Sequence, residues 1–357
     1  MDRQGIAHKE QSDVSIFHRL LIPLLAVIAL VLSANPVSAQ SLLDNPRYAA
    51  IVVDADTREV LYARNADAAR HPASITKVMT LMLAFEEIDA GRLTFDDRVY
   101  FSAHAAKQPP SKLGIGKGGW ITVEQAIRLL STKSANDVAV ALAERIEGSE
   151  VAFAQRMTEK ARSLGMNATA FYNASGLPNP AHSTSARDLA TMSAALMRDY
   201  PHYYAFFSQR SYTMGAKHFP NHNRLLGKFV GLDGIKTGYT RASGFTLAAS
   251  AQRDGTRLIA IVLGANTSRA RNDNIAALLE SGFDVLRSRR AGRTMTIASY
   301  MNEPEPVFDL WNGPATAQGS AMPEDDLDFD PTSSLDLPSV LSPFAPMGTF
   351  ESYAWLR

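Results

Sequence analysis

Gly244-Phe-Thr-Leu-Ala-Ala-Ser-Ala251 and Leu258-Ile-Ala-Ile-Val-Leu263 are two apolar, strand-like runs separated by Arg253-Asp-Gly-Thr256. An Asp-Gly pair between two such runs is a short-hairpin signal, so the two strands are expected to pair antiparallel. Just upstream stands Asp233-Gly-Ile-Lys-Thr-Gly238, directly before the first of these strands, and downstream Asn272 to Leu286 has the pattern of an amphipathic helix. A second hairpin opens the body of the chain. Tyr48-Ala-Ala-Ile-Val-Val-Asp54 leads through the turn Asp56-Thr-Arg-Glu59 into Val60-Leu-Tyr-Ala-Arg64. Between the hairpins lie helix-compatible stretches at Ser74–Ala90, 123–146 and 150–164; the first sets Val78, Leu81, Met82 and Phe85 at helical spacing. Strands at both ends with helices between them predict one antiparallel sheet, assembled from distant segments and covered by helices.

Composition narrows the chemistry. With 357 residues, 46% of them hydrophobic, the chain can bury a large core. It has no cysteine, which excludes disulfides, thiolate nucleophiles and cysteine zinc sites. No His/carboxylate cluster suggests a metal, and no cofactor motif is present. Arg3, Lys9 and Arg19 precede an apolar run from Leu20 to Leu32 that ends at Val37-Ser-Ala39. This reads as a signal peptide over 1–39, with a mature start near Gln40; an uncleaved anchor is the alternative, but a membrane span needs about 20 apolar residues. Residues 40–290 hold 31 basic and 23 acidic residues, against two and ten in 291–357. A basic body suits an anionic substrate or envelope surface. No basic run interleaved with aromatics points to nucleic acid. The eight prolines and acidic run Glu324–Asp330 make 291–357 a largely disordered tail by composition. The alternative there is a small β module around 293–311, where Thr294-Met-Thr-Ile is strand-like.

Three short motifs carry chemistry. In Ser74-Ile-Thr-Lys77, placed after Pro72, residues three apart on a helix share a face, so the Lys77 amine can lie against the Ser74 hydroxyl. A serine needs a base to become a nucleophile, and a lysine serves only when neutral, a state that desolvation and a second cation both favour. The helix start also directs backbone N–H groups at whatever approaches Ser74. Ser134-Ala-Asn136 offers a hydroxyl for proton relay and an amide to hold Lys77 or a substrate carbonyl; a helix N-cap is the plain alternative. In Asp233–Gly238, glycines beside Lys236 and Thr237 let a substrate lie against a strand edge, where these two can bind a carboxylate. Taken alone, that segment is equally a turn with a surface lysine.

Together, Ser-x-x-Lys, Ser-x-Asn 60 residues later and Lys-Thr-Gly about 100 further on form the three-part signature of penicillin-interacting serine enzymes. Over roughly 45–290 the chain resembles the D-alanyl-D-alanine carboxypeptidases of the low-molecular-mass penicillin-binding protein class, serine peptidase family S11. The likeness extends to Ala49–Ala63, Asn173-Ala-Ser-Gly-Leu-Pro178, Ser185–Ala190, Asn221-His-Asn-Arg-Leu-Leu226 and 232–264. It implies a β-lactamase/transpeptidase-like fold of the α+β class, an α/β sandwich whose antiparallel sheet is flanked by helices, with a helical subdomain. It further implies Ser74 as acylated nucleophile, Lys77 as general base, Ser134 and Asn136 as relay and substrate holder, and Lys236, Thr237 and Arg271 as carboxylate binders. Gly238 and Tyr239 complete the substrate strand, with the Tyr239 N–H joining that of Ser74 in an oxyanion hole. Tyr239 stands where well-studied members often have His. The implied substrates are peptidoglycan stem peptides ending in D-Ala–D-Ala, the implied covalent inhibitors are β-lactams, and neither cofactor nor metal is needed. The implied location is the periplasm or the outer face of the cytoplasmic membrane. Phe350–Arg357 is too short for an amphipathic membrane anchor. A class A β-lactamase shares the motifs but depends on a Glu-x-x-Leu-Asn loop, which is missing between Asn136 and Lys236. A D,D-endopeptidase would use the same site, and an inert peptidoglycan-binding module would be expected to lack Ser74 or Lys77.

Overall fold

The computed structural model describes residues 45–301. The 1–39 segment and most of the tail lie outside them. A five-stranded antiparallel sheet runs in the order β2-β1-β9-β8-β7, with β1 at Ala49–Asp54, β2 at Val60–Arg64, β7 at Leu232–Thr240, β8 at Gly244–Arg253 and β9 at Thr256–Ala265. Both predicted hairpins form. The β8–β9 turn is the two-residue Asp254-Gly255 kind, with φ of 47° and 74°, which a glycine at the second position accommodates.

The sheet is apolar because both of its faces are covered. Ile51, Val53, Ile259, Ile261 and Ala248 point into one core, and Ala50, Val52, Leu258, Ala260 and Leu247 into the other, alternating with the period of two that a pleated strand imposes. The second core is roofed by helix α7, Ser268–Arg290, through Ile275, Leu278 and Leu279. The first carries the helical part: α1 Thr76–Asp89, α3 Val123–Ser131, α4 Asn136–Glu147, α5 Glu150–Ser163 and α6 Ala186–Asp199. A short helix α2, Ala103–Ala106, and two small hairpins, β3 Arg98–Tyr100 with β4 Trp120–Thr122 and β5 Ser211–Met214 with β6 Lys217–Pro220, complete the architecture. This is the expected α+β sandwich.

Three expectations change. The stretch read as one helix over 123–146 is two, α3 and α4, parted at Thr132–Ala135. Asp233–Gly238 stands directly before β8 as expected, but is itself part of edge strand β7 and not a turn. Thr294–Ile297 is not a strand: Thr296 caps a short helix α8, Ile297–Tyr300, and Ile297 is fully buried in the second core. The folded body therefore continues past residue 290.

Candidate active site

Three segments meet at one end of β7. The first is a 3₁₀ turn, Ala73–Ile75, which carries Ser74 and runs into α1. Residues 74 and 77 share a face as their spacing requires, with Lys77 Nζ 3.0 Å from Ser74 Oγ. Lys77 is fully buried and has two further partners, Asn136 Oδ1 at 2.8 Å and the Ser175 carbonyl at 2.7 Å. Burial first, and the charge of Lys236 second, hold its amine well below the ordinary lysine range; Asp137 opposes them.

The second segment is the break between α3 and α4. Ser134 has φ of +60°, a left-handed conformation that costs a non-glycine residue of order 1 kcal/mol. Its Oγ is buried and without a hydrogen-bond partner in the described residues. The N-cap of α4 is Ala135 with no side-chain cap bond, so neither Ser134 nor Asn136 caps the helix. Asn136 Oδ1 instead accepts from Lys77 Nζ, while its Nδ2 donates to the Pro109 carbonyl at 3.0 Å. Asp137 fixes the facing loop by accepting from Leu113 N and Gly114 N at 2.9 and 2.8 Å.

The third segment is β7 itself. Gly238 is where the strand touches the Ser74 turn: a Cβ there would lie 2.8 Å from Ser74 N, 2.9 Å from Ala73 Cβ and 2.6 Å from Thr246 Oγ1. Lys236 and Thr237 are buried beside it, and Lys236 Nζ donates to the Thr237 carbonyl at 3.0 Å. Burial, then the neighbouring Arg271, bring the Lys236 amine down to about 7. Arg271, buried at the start of α7, donates to Asn272 Oδ1 and, at 3.4 Å, to the Thr246 carbonyl; burial and Arg224 lower it to about 10. Tyr239 is 42% exposed at the rim, its ring 4.3 Å from that of its cross-strand neighbour Phe245.

All nine residues singled out from the sequence fall in or around this cleft. Two functional positions have no motif of their own in the sequence: Ser175, whose backbone carbonyl fixes Lys77, and Gly176, where any Cβ would collide with the Ala73 carbonyl. His222 is a third. Asn221 Nδ2 donates to the Ser131 carbonyl at 3.4 Å and Asn223 Nδ2 to the Gly234 carbonyl at 3.1 Å, so the His222 turn ties together the two walls of the cleft. Burial and the charges of Lys236, Lys133, Lys77 and Arg271 push its imidazole down to about 3, leaving it neutral near pH 7. The quoted Asn173–Pro178 and Asn221–Leu226 stretches were the only signals for these residues. Arranged this way, the site offers a hydroxyl with an adjacent depressed amine, backbone donors where a strand meets a turn, and buried cations for an anion. Among the described residues, no group of His, Asp and Glu could hold a metal.

The family model described as D-alanyl-D-alanine carboxypeptidase, peptidase S11, matches residues 37–267. The D-alanyl-D-alanine carboxypeptidase DacF of Bacillus subtilis is 35% identical over 280 residues, covering 74% of this chain and 71% of that protein. Penicillin-binding protein 5 of Haemophilus influenzae superposes with a TM-score of 0.64 at 32% identity, over 66% of this chain and 70% of the other. Penicillin-binding protein D2 of Listeria monocytogenes, in its cefotaxime-bound form, gives 0.61 at 33% identity, over 66% of this chain and 96% of that one.

Proposed function

The chain belongs to the D-alanyl-D-alanine carboxypeptidase family S11, and on that premise we propose that Ser74 is its acylated nucleophile and Lys77 the base that activates it. The chain is a serine carboxypeptidase acting on peptidoglycan. The observation that carries the assignment of roles is the set of partners around Lys77. Two of them, Asn136 Oδ1 and the Ser175 carbonyl, can only accept hydrogen bonds. A neutral amine has two N–H bonds, which these two oxygens take, so its lone pair falls toward Ser74 Oγ. That is the arrangement a base needs to remove the serine proton.

In this reading, the terminal carboxylate of a stem peptide sits against Lys236, Thr237 and Arg271, with the peptide alongside β7. Ser74 Oγ attacks the carbonyl of the penultimate D-alanine as its proton passes to Lys77. The Ser74 and Tyr239 N–H groups hold the oxyanion. Ser134 relays the proton to the departing amine, D-alanine leaves, and water clears the acyl-enzyme with Lys77 again taking the proton. A β-lactam acylates the same oxygen. Such a substrate lies outside the cytoplasmic membrane, so export through the 1–39 segment is part of the proposal. The test is D-alanine release from a D-Ala–D-Ala peptide. Ser74→Ala should lower it by at least about a thousandfold, as loss of a nucleophile does elsewhere; release within tenfold of wild type would refute the assignment.

A further inference from the structure

Lys77 is held by oxygens that are themselves held, and one carboxylate with no part in the steps above reaches both sets of supports. The first acceptor, the Ser175 carbonyl, stands in the turn 173–177. Asn173 Oδ1 closes that turn from within, accepting from Ser175 N and Gly176 N at 3.2 and 2.7 Å. Thr80 Oγ1, one turn along α1 from Lys77, donates to the Ala174 carbonyl at 2.7 Å. The Ala174 N–H donates to Glu150 Oε1 at 3.1 Å. The second acceptor, Asn136, leans on the loop that follows α2. Its Nδ2 donates to the Pro109 carbonyl at 3.0 Å and its backbone N–H to the Ser111 carbonyl at 2.7 Å.

Glu150 opens α5, and its side chain is only 12% exposed. Its second oxygen accepts from His104 Nε2 on α2 at 2.6 Å. A carboxylate only accepts, so that ring nitrogen carries the proton. Ser102 anchors the same short helix, accepting from Ala105 N at 3.0 Å and donating to Glu144 Oε1 on α4 at 2.9 Å. Glu150 therefore ties the turn bearing the Ser175 carbonyl to the helix whose following loop supports Asn136. An ion pair with a partner 58% exposed adds little stability; what Glu150 fixes is position. Position matters at Lys77 because its two N–H bonds are taken by Asn136 Oδ1 and the Ser175 carbonyl, and only then does the lone pair face Ser74 Oγ. A misplacement of about 1 Å in such a pair costs on the order of a hundredfold in rate.

We propose that Glu150 is a positioning residue for the base, clamping from outside the two segments that supply the acceptors of Lys77. The inference rests on the reading of Lys77 as that base. The test compares wild type, Glu150→Ala, Glu150→Gln and Thr80→Val in the full chain. It reads kcat and KM for D-alanine release from an acylated D-Ala–D-Ala peptide, with thermal unfolding beside them. Glu150→Ala should lower kcat by about tenfold or more with KM within about twofold, since position is lost and substrate contacts are kept. Glu150→Gln keeps an oxygen for Ala174 N and offers an N–H to a neutral His104 Nε2, so kcat should return to within about threefold of wild type. Thr80→Val, nearly the same shape, removes the donor to the Ala174 carbonyl and should lower kcat about fivefold, again at constant KM. A folded Glu150→Ala with kcat within about twofold of wild type would overturn the positioning role. So would a loss in Glu150→Gln equal to that in Glu150→Ala, or a loss carried by KM. If Glu150→Ala does not fold, an unchanged kcat in Thr80→Val overturns it in the same way. Penicillin acylation of Lys77→Ala at the wild-type rate would instead sink the reading of Lys77 on which the inference depends.

Discussion

Lys77 is an amine whose burial alone is unfavourable, and three oxygens hold it in place. One of these was legible in the sequence, since the i, i+3 spacing sets Ser74 beside it. Asn136 was legible as a choice between a cap and a lysine holder, and the cap is excluded because Ala135 occupies that position. The Ser175 carbonyl was not legible, because a backbone acceptor has no signature in side-chain identity. Charge at the other end of the cleft gives the first prediction. With Lys236 at about 7 in the free enzyme, it is cationic below that pH and neutral above it. The kcat/KM for a peptide with a free C-terminal carboxylate should fall above about pH 7. The limb of kcat should lie higher, because a bound carboxylate favours the charged amine. Arg271→Leu should lower kcat/KM about 10- to 100-fold through the lost charged contact. It should also move the alkaline limb upward, because the positive guanidinium disfavours the protonated Lys236 amine and its loss lets that amine hold its proton to higher pH. A pH–rate profile with an unmoved limb would contradict this pairing.

At the scale of elements, catalysis depends on how closely β7 approaches the Ser74 turn. Gly238 sets that distance, so Gly238→Ala must push strand and turn apart or displace Thr246. A displacement of about 1 Å in a reacting pair costs on the order of a hundredfold, whereas overpacking one methyl costs about 1–3 kcal/mol of stability. Penicillin acylation of Gly238→Ala should therefore slow by about a hundredfold while the protein stays folded at 25 °C; a rate within twofold of wild type would remove Gly238 from the account. The strand itself was hard to see in the sequence. Lys236, Thr237 and Gly238 interrupt its apolar alternation at the cleft, and Asp233 and Gly234 interrupt it where the strand meets Arg257 and Tyr204, so the segment reads as a turn before β8. The α3–α4 break hid for the opposite reason. Apolar residues continue on both sides of Thr132–Ala135, and nothing in periodicity marks the left-handed Ser134 between them.

For the molecule as a whole, the sheet explains why residues so far apart in the chain act together. Strand β1 from near the start of the body pairs with β9 near its end, and β7 and β8 continue from there to the cleft. The hairpins and the covering helix were readable because apolar runs and an Asp-Gly turn specify them locally. The strand order was not, since pairing between segments some 200 residues apart is fixed by packing rather than by local pattern. On the proposed roles, this convergence makes Ser74, and no other hydroxyl, the acylated atom. The direct measurement is peptide mass mapping after reaction with penicillin. One equivalent of drug should appear on the tryptic peptide 71–77 of the wild type and none on Ser74→Ala. A drug adduct on Ser134 or any other residue, or an unmodified 71–77 peptide in the wild type, would contradict the claim.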